Sequence, residues 1–152
     1  MADKTVLTPQ QCAAVNDSGG ALLVSAAAGS GKTRVLVERL MRYMTEKNRP
    51  RRIDDFLVIT YTNAAAAELR AKVRAAIGER LAEDPENCWL RRQADICHRA
   101  HICTIHSYCI ELLRENAHLL GISPDFRVAD EGESDMVRRE VLESVLEDRF
   151  EK

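Results

Sequence analysis

The hydrophobic pattern of the chain alternates between unbroken apolar runs and helical periodicity. Apolar runs at residues 21–25, 56–60 and 101–104 are typical of buried strands in a parallel sheet. A shorter run at residues 126–128 predicts a fourth strand. Between these runs, apolar residues recur every three to four positions, which indicates helices with one buried face.

Capping residues and helix breakers set the expected helix boundaries. Thr8, Pro9 and Gln11 have the spacing of a capping box that opens a short first helix. Asn63 is expected to cap a long helix that ends at Asp84. Further helices are predicted over residues 31–46, over residues 87–99, from Thr104 or Ser107 to Leu120, and over residues 134–150.

Strands that alternate with helices predict an α/β fold, with a parallel, right-handed βαβ sheet covered by helices on both faces. Ligands bind such sheets at the carboxyl ends of the strands. Residues 26–33, 61–63 and 106–107 each follow a predicted strand directly. We therefore expect these three segments to share one edge of the sheet.

Composition limits the classes of function. The chain has 152 residues, which suits one domain, and a net charge of −2, so any nucleic-acid site must be a local patch. The odd count of five cysteines and the lack of an apolar signal segment after Met1–Lys4 favour reduced thiols and a cytoplasmic location. No apolar run is long enough for a membrane helix, so no membrane partner is expected.

Residues 26–33 carry the pattern G-x-x-x-x-G-K-[ST] of phosphate-binding loops, with alanine at the first glycine position. Gly29 and Gly31 let the backbone turn its N–H groups inward, and the next helix points its positive end at the phosphates. Lys32 can reach the outer phosphates, and Thr33 can ligate Mg²⁺. The alternative is a chance turn of small residues, which the strand–loop–helix order disfavours. The residues predicted to bind ATP with Mg²⁺ are Ala26, Ala27, Ala28, Gly29, Ser30, Gly31, Lys32 and Thr33.

Two further segments offer polar or aromatic groups for recognition. Gln11 could hydrogen-bond an adenine edge with its amide, or could turn back onto Thr8 in the capping box. Tyr61 could stack on a base of single-stranded DNA while Thr62 and Asn63 donate to a phosphate. The alternative is that Tyr61 packs under the sheet and Asn63 only caps a helix.

His106 and Ser107 could contact a DNA backbone, although His106 could instead be a buried histidine bonded to a carbonyl. The cysteines and histidines between Cys97 and His106 lack the spacing of a zinc site, which favours core cysteines and surface histidines. Asp130 and Glu131 could be read as the acidic pair of a Walker B motif. A solvated helix start is the favoured interpretation of that pair.

Four segments in this order resemble superfamily 1 DNA helicases of the UvrD type. Residues 7–15 look like the Q motif, residues 26–36 like motif I, residues 59–69 like motif Ia and residues 103–109 like motif Ib. The resemblance implies a RecA-like P-loop NTPase fold, with Gln11 and Arg34 at the nucleotide, Lys32 and Thr33 in ATP hydrolysis, and DNA at Tyr61–Asn63 and His106–Ser107.

Two details are similar to the AddA (RexA) type of helicase–nuclease protein. Residues 63–67 lack the lysine that follows the asparagine in most UvrD-like helicases. Residues 123–131 look like the segment that follows motif Ib in proteins of the AddA type. The resemblance implies double-strand-break repair, ATP-driven translocation on single-stranded DNA, double-stranded DNA as substrate, and a second subunit of the AddB (RexB) type.

The chain departs from that family in extent, since we find no convincing Walker B strand, arginine finger or nuclease residues. We therefore expect an incomplete motor domain, with part of the first RecA-like subdomain in residues 1–130 and a connecting helix in 131–152. Such a piece should bind ATP weakly and hydrolyse it negligibly. Alternatives are another UvrD/Rep-type repair helicase, a small-molecule kinase, or a nucleotide-binding module without catalysis.

Overall fold

The computed structural model describes residues 6–150. Met1–Lys4 lie outside the described residues, and the expected lack of a signal segment partly depends on them. The elements are α1 (Pro9–Asn16), α2 (Lys32–Met44), β1 (Leu57–Thr60), α3 (Asn63–Glu83), α4 (Cys88–Ile96), β2 (His101–Thr104), α5 (Ile105–Glu115), α6 (Ala117–Leu120) and α7 (Glu131–Phe150). Short 3-10 turns cover Ile53–Asp55 and Cys97–Arg99. The chain divides into two compact units, the first ending at Cys109 and the second beginning at Ile110. The predicted boundary at residue 130 remains a prediction.

The first helix begins as expected. The backbone N–H of Thr8 donates to Oε1 of Gln11 at 2.9 Å, and the backbone N–H of Gln11 donates to Oγ1 of Thr8 at 3.3 Å. Pro9 occupies the first helical position, where its missing N–H is no loss. The capping box is therefore confirmed.

Strands β1 and β2 pair in parallel, with Leu57 opposite His101 and Thr60 opposite Thr104. The crossover between them contains α3 and α4, as a parallel connection requires. α3 packs against both strands. Leu57 and Ile59 nevertheless remain 47% and 42% exposed, so the expectation of a strand buried on both faces is wrong for β1 within the described residues.

The core of the first unit lies between α2, α3, α4 and the sheet. Its buried apolar members are Val37, Leu40, Met41, Met44, Ile53, Leu69, Val73, Ile77, Leu90, Cys97, Ala100 and Ile102. Gln93 is fully buried, and its Oε1 atom accepts the backbone N–H of Ile53 at 2.9 Å. Trp89 donates from Nε1 to the carbonyl of Met44 at 2.7 Å. These two side chains satisfy backbone groups where three elements meet.

Two predicted strands do not form. Residues 21–25 have no regular secondary structure, and Leu23 is 93% exposed. A strand is stable only with a hydrogen-bonded neighbour, and residues 6–150 supply none at this segment. Residues 126–128 also have no regular secondary structure, and their side chains contact their own unit: Arg114 lies over the Phe126 ring at 5.6 Å, and Arg127 pairs with Glu133.

Helix boundaries also required corrections. Thr62, not Asn63, caps α3, because Thr62 has an extended backbone and its Oγ1 accepts the N–H of Ala65 at 3.1 Å. The predicted helix ending at Leu120 is interrupted at Asn116, and Gly121, at a φ of 64°, ends it as expected. The helix predicted from Gly31 begins at Lys32.

The last helix begins three residues earlier than predicted. Asp130 accepts the backbone N–H of Glu133 at 2.9 Å, and Glu133 accepts that of Asp130 at 3.1 Å. Asp130 is exposed and opens α7, so the interpretation as a solvated helix start is confirmed and Asp130 does not end a strand. No helix among residues 6–150 is long and apolar enough to cross a membrane.

Candidate nucleotide and nucleic-acid site

Two left-handed glycines shape the loop that precedes α2. Gly29 has a φ of 76° and Gly31 a φ of 85°, conformations that are strained for any residue with a Cβ atom. The backbone N–H of Ser30 donates to the carbonyl of Ala27 at 3.3 Å, which closes a tight turn. The loop is exposed from Ala26 to Ser30. The glycines thus form the compact, open turn that the sequence pattern predicts.

The Lys32 ammonium group lies against this turn. Nζ donates to the carbonyl oxygens of Ala26 and Ala27, both at 2.7 Å. No carboxylate within residues 6–150 pairs with Lys32, so only neutral peptide dipoles hold its charge. The loop therefore carries an uncompensated positive charge next to exposed backbone, an arrangement that favours an anion.

The first turn of α2 adds directed donors. The backbone N–H groups of Lys32 and Thr33 precede the first bond of the helix, which runs from the N–H of Val35 to the carbonyl of Gly31 at 3.0 Å, so neither has a carbonyl partner within α2. These N–H groups form the positive end of the helix. Thr33 is exposed, and its hydroxyl has no hydrogen-bond partner in the described part of the chain, so its oxygen can ligate a metal.

Gln11 contacts both its own helix and the loop. Its Oε1 accepts from Thr8 in the capping box, and its Nε2 donates to the carbonyl of Ser30 at 3.0 Å. An amide oxygen can accept two hydrogen bonds, and an amide nitrogen can donate two. One acceptor site and one donor therefore remain for an adenine edge. The capping box and base contact, which the sequence presents as alternatives, are compatible.

The ends of β1 and β2 bring the other candidate residues to one edge of the sheet, as expected, because Thr60 pairs with Thr104. Tyr61 is fully exposed, so the alternative that it packs under the sheet is wrong. His106 is also exposed, which overturns the alternative of a buried histidine. Residues 26–33 follow a segment without regular secondary structure instead of a strand, so they do not end a strand at this edge.

The polar side chains at this edge differ in their local bonds. The Thr62 hydroxyl caps α3, whereas Asn63 is exposed and its side-chain amide has no hydrogen-bond partner among residues 6–150. Oγ of Ser107 shares a hydrogen bond of 2.9 Å with Oγ1 of Thr104. Asn63 and His106 are therefore the polar side chains most available to a ligand here.

Three side chains that the sequence prediction missed join α2 to the last turn of α1. Arg39 donates from Nη1 to the carbonyl of Ala14, and Arg42 donates from Nη1 to that of Val15 at 3.3 Å. The Tyr43 hydroxyl donates to the carbonyl of Asp17 at 3.5 Å. The sequence signal for these contacts is the spacing of the three residues on one helix. Many solvent-exposed helix faces have the same spacing, so it does not predict the contacts.

A cavity of about 450 Å³ in the second unit contains none of the predicted site residues. It is lined by Arg127, Ala129, Glu133, Met136, Val137 and Glu140. The hydrogen bond from Arg127 lowers the pKa of the Glu133 carboxyl, so these two charges neutralise each other. The Lys32 ammonium group in the first unit, by contrast, has no carboxylate partner among residues 6–150.

Comparison with known proteins gives concordant results. The model of the UvrD/REP helicase N-terminal domain family matches residues 7–152. The A subunit of the ATP-dependent helicase/nuclease of Acetivibrio thermocellus is 45% identical over 151 residues, covering 99% of this chain. The proteins of the same name from Oceanobacillus iheyensis and Clostridium novyi are 45% identical over 143 and 144 residues, or 94% and 95% of the chain. The chain spans 12% of the length of each of these curated relatives.

Proposed function

The chain belongs to the UvrD/REP helicase N-terminal domain family, and from that premise we propose that it is the ATP-binding segment of a DNA helicase of the AddA (RexA) helicase–nuclease type. The observation that carries the proposal is the Lys32 ammonium group, which has no carboxylate partner among residues 6–150 and lies beside the glycine turn at the start of α2. A polyphosphate would replace the weak carbonyl partners of Lys32 with full negative charges.

Each residue has a distinct role in this proposal. The backbone of residues 26–31 surrounds the phosphates, Lys32 neutralises the outer ones, and Gln11 selects adenine with its remaining donor and acceptor. Arg34, in the first turn of α2, contributes a further cation near the nucleotide. The Thr33 hydroxyl is a suitable ligand for Mg²⁺ because it is exposed and not hydrogen-bonded within residues 6–150. Bound Mg²⁺ would neutralise charge on the outer phosphates.

Hydrolysis requires groups beyond these residues. β1 ends at Thr60 and β2 at Thr104, so neither described strand ends in a carboxylate that could orient water. We propose that Lys32 and Thr33 contribute to catalysis in the longer protein, and that the 152-residue chain hydrolyses ATP negligibly. DNA-stimulated turnover by the isolated chain would contradict this.

Single-stranded DNA would cross the edge formed by the ends of β1 and β2. Tyr61 offers a fully exposed ring for base stacking, and Asn63 and His106 offer polar groups for the phosphates, with Thr62 and Ser107 beside them. The parallel sheet would be RecA-like, extended and covered on its exposed face by other parts of the longer protein. Exposed Leu57 and Ile59 support that proposal.

The longer protein would act with a second subunit of the AddB (RexB) type on double-stranded DNA ends, in double-strand-break repair and recombination. The support for a partner is that the names of the relatives designate one lettered subunit of a helicase/nuclease. ATP hydrolysis would drive translocation along the single strand.

The binding of MgATP to the purified chain tests the proposal. We expect Lys32→Ala to weaken MgATP binding at least about tenfold, since it removes a charge-assisted contact. Lys47→Ala is the matched control, because Lys47 is an exposed lysine beyond the end of α2. Equal affinities for the wild-type chain and Lys32→Ala would reject the nucleotide site.

A further inference from the structure

Helix α1 has little apolar surface to hold it in place. Val15 is buried, but the other seven residues, all of them described, are exposed or only partly buried. The hydrophobic effect is not directional, so the burial of one valine cannot fix the orientation of the helix. Polar contacts must therefore set the position of α1 and of Gln11 in its first turn.

Arg39 supplies one of these contacts, at the last turn of α1. It donates to the carbonyl of Ala14, one of the terminal carbonyls that have no N–H partner within the helix. Hydrogen bonds from charged donors are shorter and stronger than neutral ones, and a cation is favoured at a helix C-terminus. The guanidinium group is itself held 5.3 Å above the Tyr43 ring. Arg42 contacts the neighbouring carbonyl of Val15 at a longer 3.3 Å.

α1 is thus tied at one end to the phosphate loop, by Gln11 on Ser30, and at the other end to α2, by Arg39 on Ala14. We propose that Arg39 is a positioning residue, which fixes the amide of Gln11 at the distance from the phosphate loop that an adenine nucleotide needs. This inference rests on the proposed nucleotide binding. The inference also implies that contact with the base and contact with the phosphates depend on different residues, and that Arg39 supports the contact with the base.

Titration calorimetry of the 152-residue chain with MgATP and with magnesium tripolyphosphate separates the two contacts, because tripolyphosphate has no base. We expect Arg39→Met to weaken MgATP about tenfold and to leave tripolyphosphate within about twofold. Gln11→Ala should show the same profile. The double variant should be no weaker than either single variant, because both substitutions disrupt the same contact.

Arg80→Met is the matched control. Arg80 of α3 pairs with Glu38 of α2 at 3.2 Å, so this variant removes a guanidinium contact that is made to α2 and does not involve α1. Arg39→Lys keeps the charge and one donor, and we expect it to show an intermediate loss of ATP affinity only. Thermal melting shows whether each variant is folded. If Arg39→Met does not fold, the affinities of Arg39→Lys for MgATP and tripolyphosphate are compared instead.

Several results would overturn the inference. One is an equal loss of affinity for both ligands in Arg39→Met and Arg39→Lys, which would indicate a merely structural role. Another is additive losses in the double variant. A wild-type chain that binds tripolyphosphate as well as ATP would reject the base contact and leave phosphate binding intact. A wild-type chain that binds neither ligand would reject the proposed function and the inference with it.

Discussion

A Cβ atom added to Gly31 would lie 3.0 Å from Nε2 of Gln11, whereas one added to Gly29 would meet no heavy atom within 4 Å. Both glycines have a positive φ, so both would be strained by a side chain. Of the two glycines, only Gly31 also leaves room for the Gln11 side chain of α1 to approach the phosphate loop closely.

These two glycines provide a matched pair of variants. We expect Gly29→Ala to carry only the backbone strain, about 1–2 kcal/mol. Gly31→Ala should carry the same strain and also displace Gln11, so its MgATP affinity should fall further. In the Gln11→Ala background, which already lacks both the base contact and the amide that the new Cβ atom would meet, Gly31→Ala and Gly29→Ala should weaken MgATP binding to the same extent. Indistinguishable dissociation constants for the two glycine variants would contradict this prediction.

Removal of the Tyr61 ring should weaken binding of a single-stranded oligonucleotide. We expect Tyr61→Ala to cost about 1–3 kcal/mol, the usual contribution of one base stacked on an aromatic ring. Tyr61→Phe should retain most of the affinity, because the ring stacks without its hydroxyl. Phe150→Ala removes another exposed aromatic, on α7, and should have no effect. Fluorescence anisotropy measures all three, and unchanged affinity for Tyr61→Ala would favour a nucleotide-binding module without DNA.

Gln93 should be important for stability. Gln93→Leu leaves the backbone N–H of Ile53 buried without its acceptor, which costs about 1–3 kcal/mol. Arg92→Leu changes an exposed residue of the same helix and should alter the free energy of unfolding by less than about 0.5 kcal/mol. Urea unfolding followed by circular dichroism gives both values, and similar results for the two variants would argue against a structural role for the amide.

The contribution of Asp54 to stability should depend on pH. Arg52 donates to Asp54 at 2.8 Å from Nε and at 2.5 Å from Nη2, and these bonds lower the pKa of the Asp54 carboxyl. A carboxyl group whose pKa is lower in the folded than in the unfolded protein stabilises the fold at pH values above its unfolded-state pKa. This stabilisation disappears as the pH falls through its folded-state pKa. Asp54→Asn should therefore be destabilising at neutral pH and progressively less so below about pH 4.

The same substitution in an Arg52→Gln background tests the cause. Without the guanidinium group, Asp54→Asn should show little change in its effect between neutral and acidic pH. Urea midpoints measured across this range check the prediction. A pH dependence that persists in the Arg52→Gln background would assign the effect to another group.

Local signals in the sequence were sufficient for features that depend on nearby residues. The capping box at Thr8, the left-handed turn at Gly121 and the stripe of Leu69, Val73 and Ile77 on α3 were all predictable, because each involves groups within one or two helical turns. The parallel pairing of β1 and β2 followed from the general rule for alternating strands and helices.

Features that depend on distant partners were not predictable. Residues 21–25 have the composition of a buried strand, but a strand also needs a neighbour, and composition carries no information about whether one is present. The contact of Gln11 with Ser30 and that of Arg39 with Ala14 each join α1 to the α2 region. Neither pair shares a helix face or a motif spacing, so only the fold brings them together.

The register that places Leu57 opposite His101 has a consequence for how the molecule folds. The chain must close a loop through all of α3 and α4 before the first bond between the strands can form. The entropy lost in that closure is recovered only when the helices have packed, so helix association should precede strand pairing. The edge that carries Tyr61 and His106 is therefore expected to assemble late, after the hydrophobic layer beneath it.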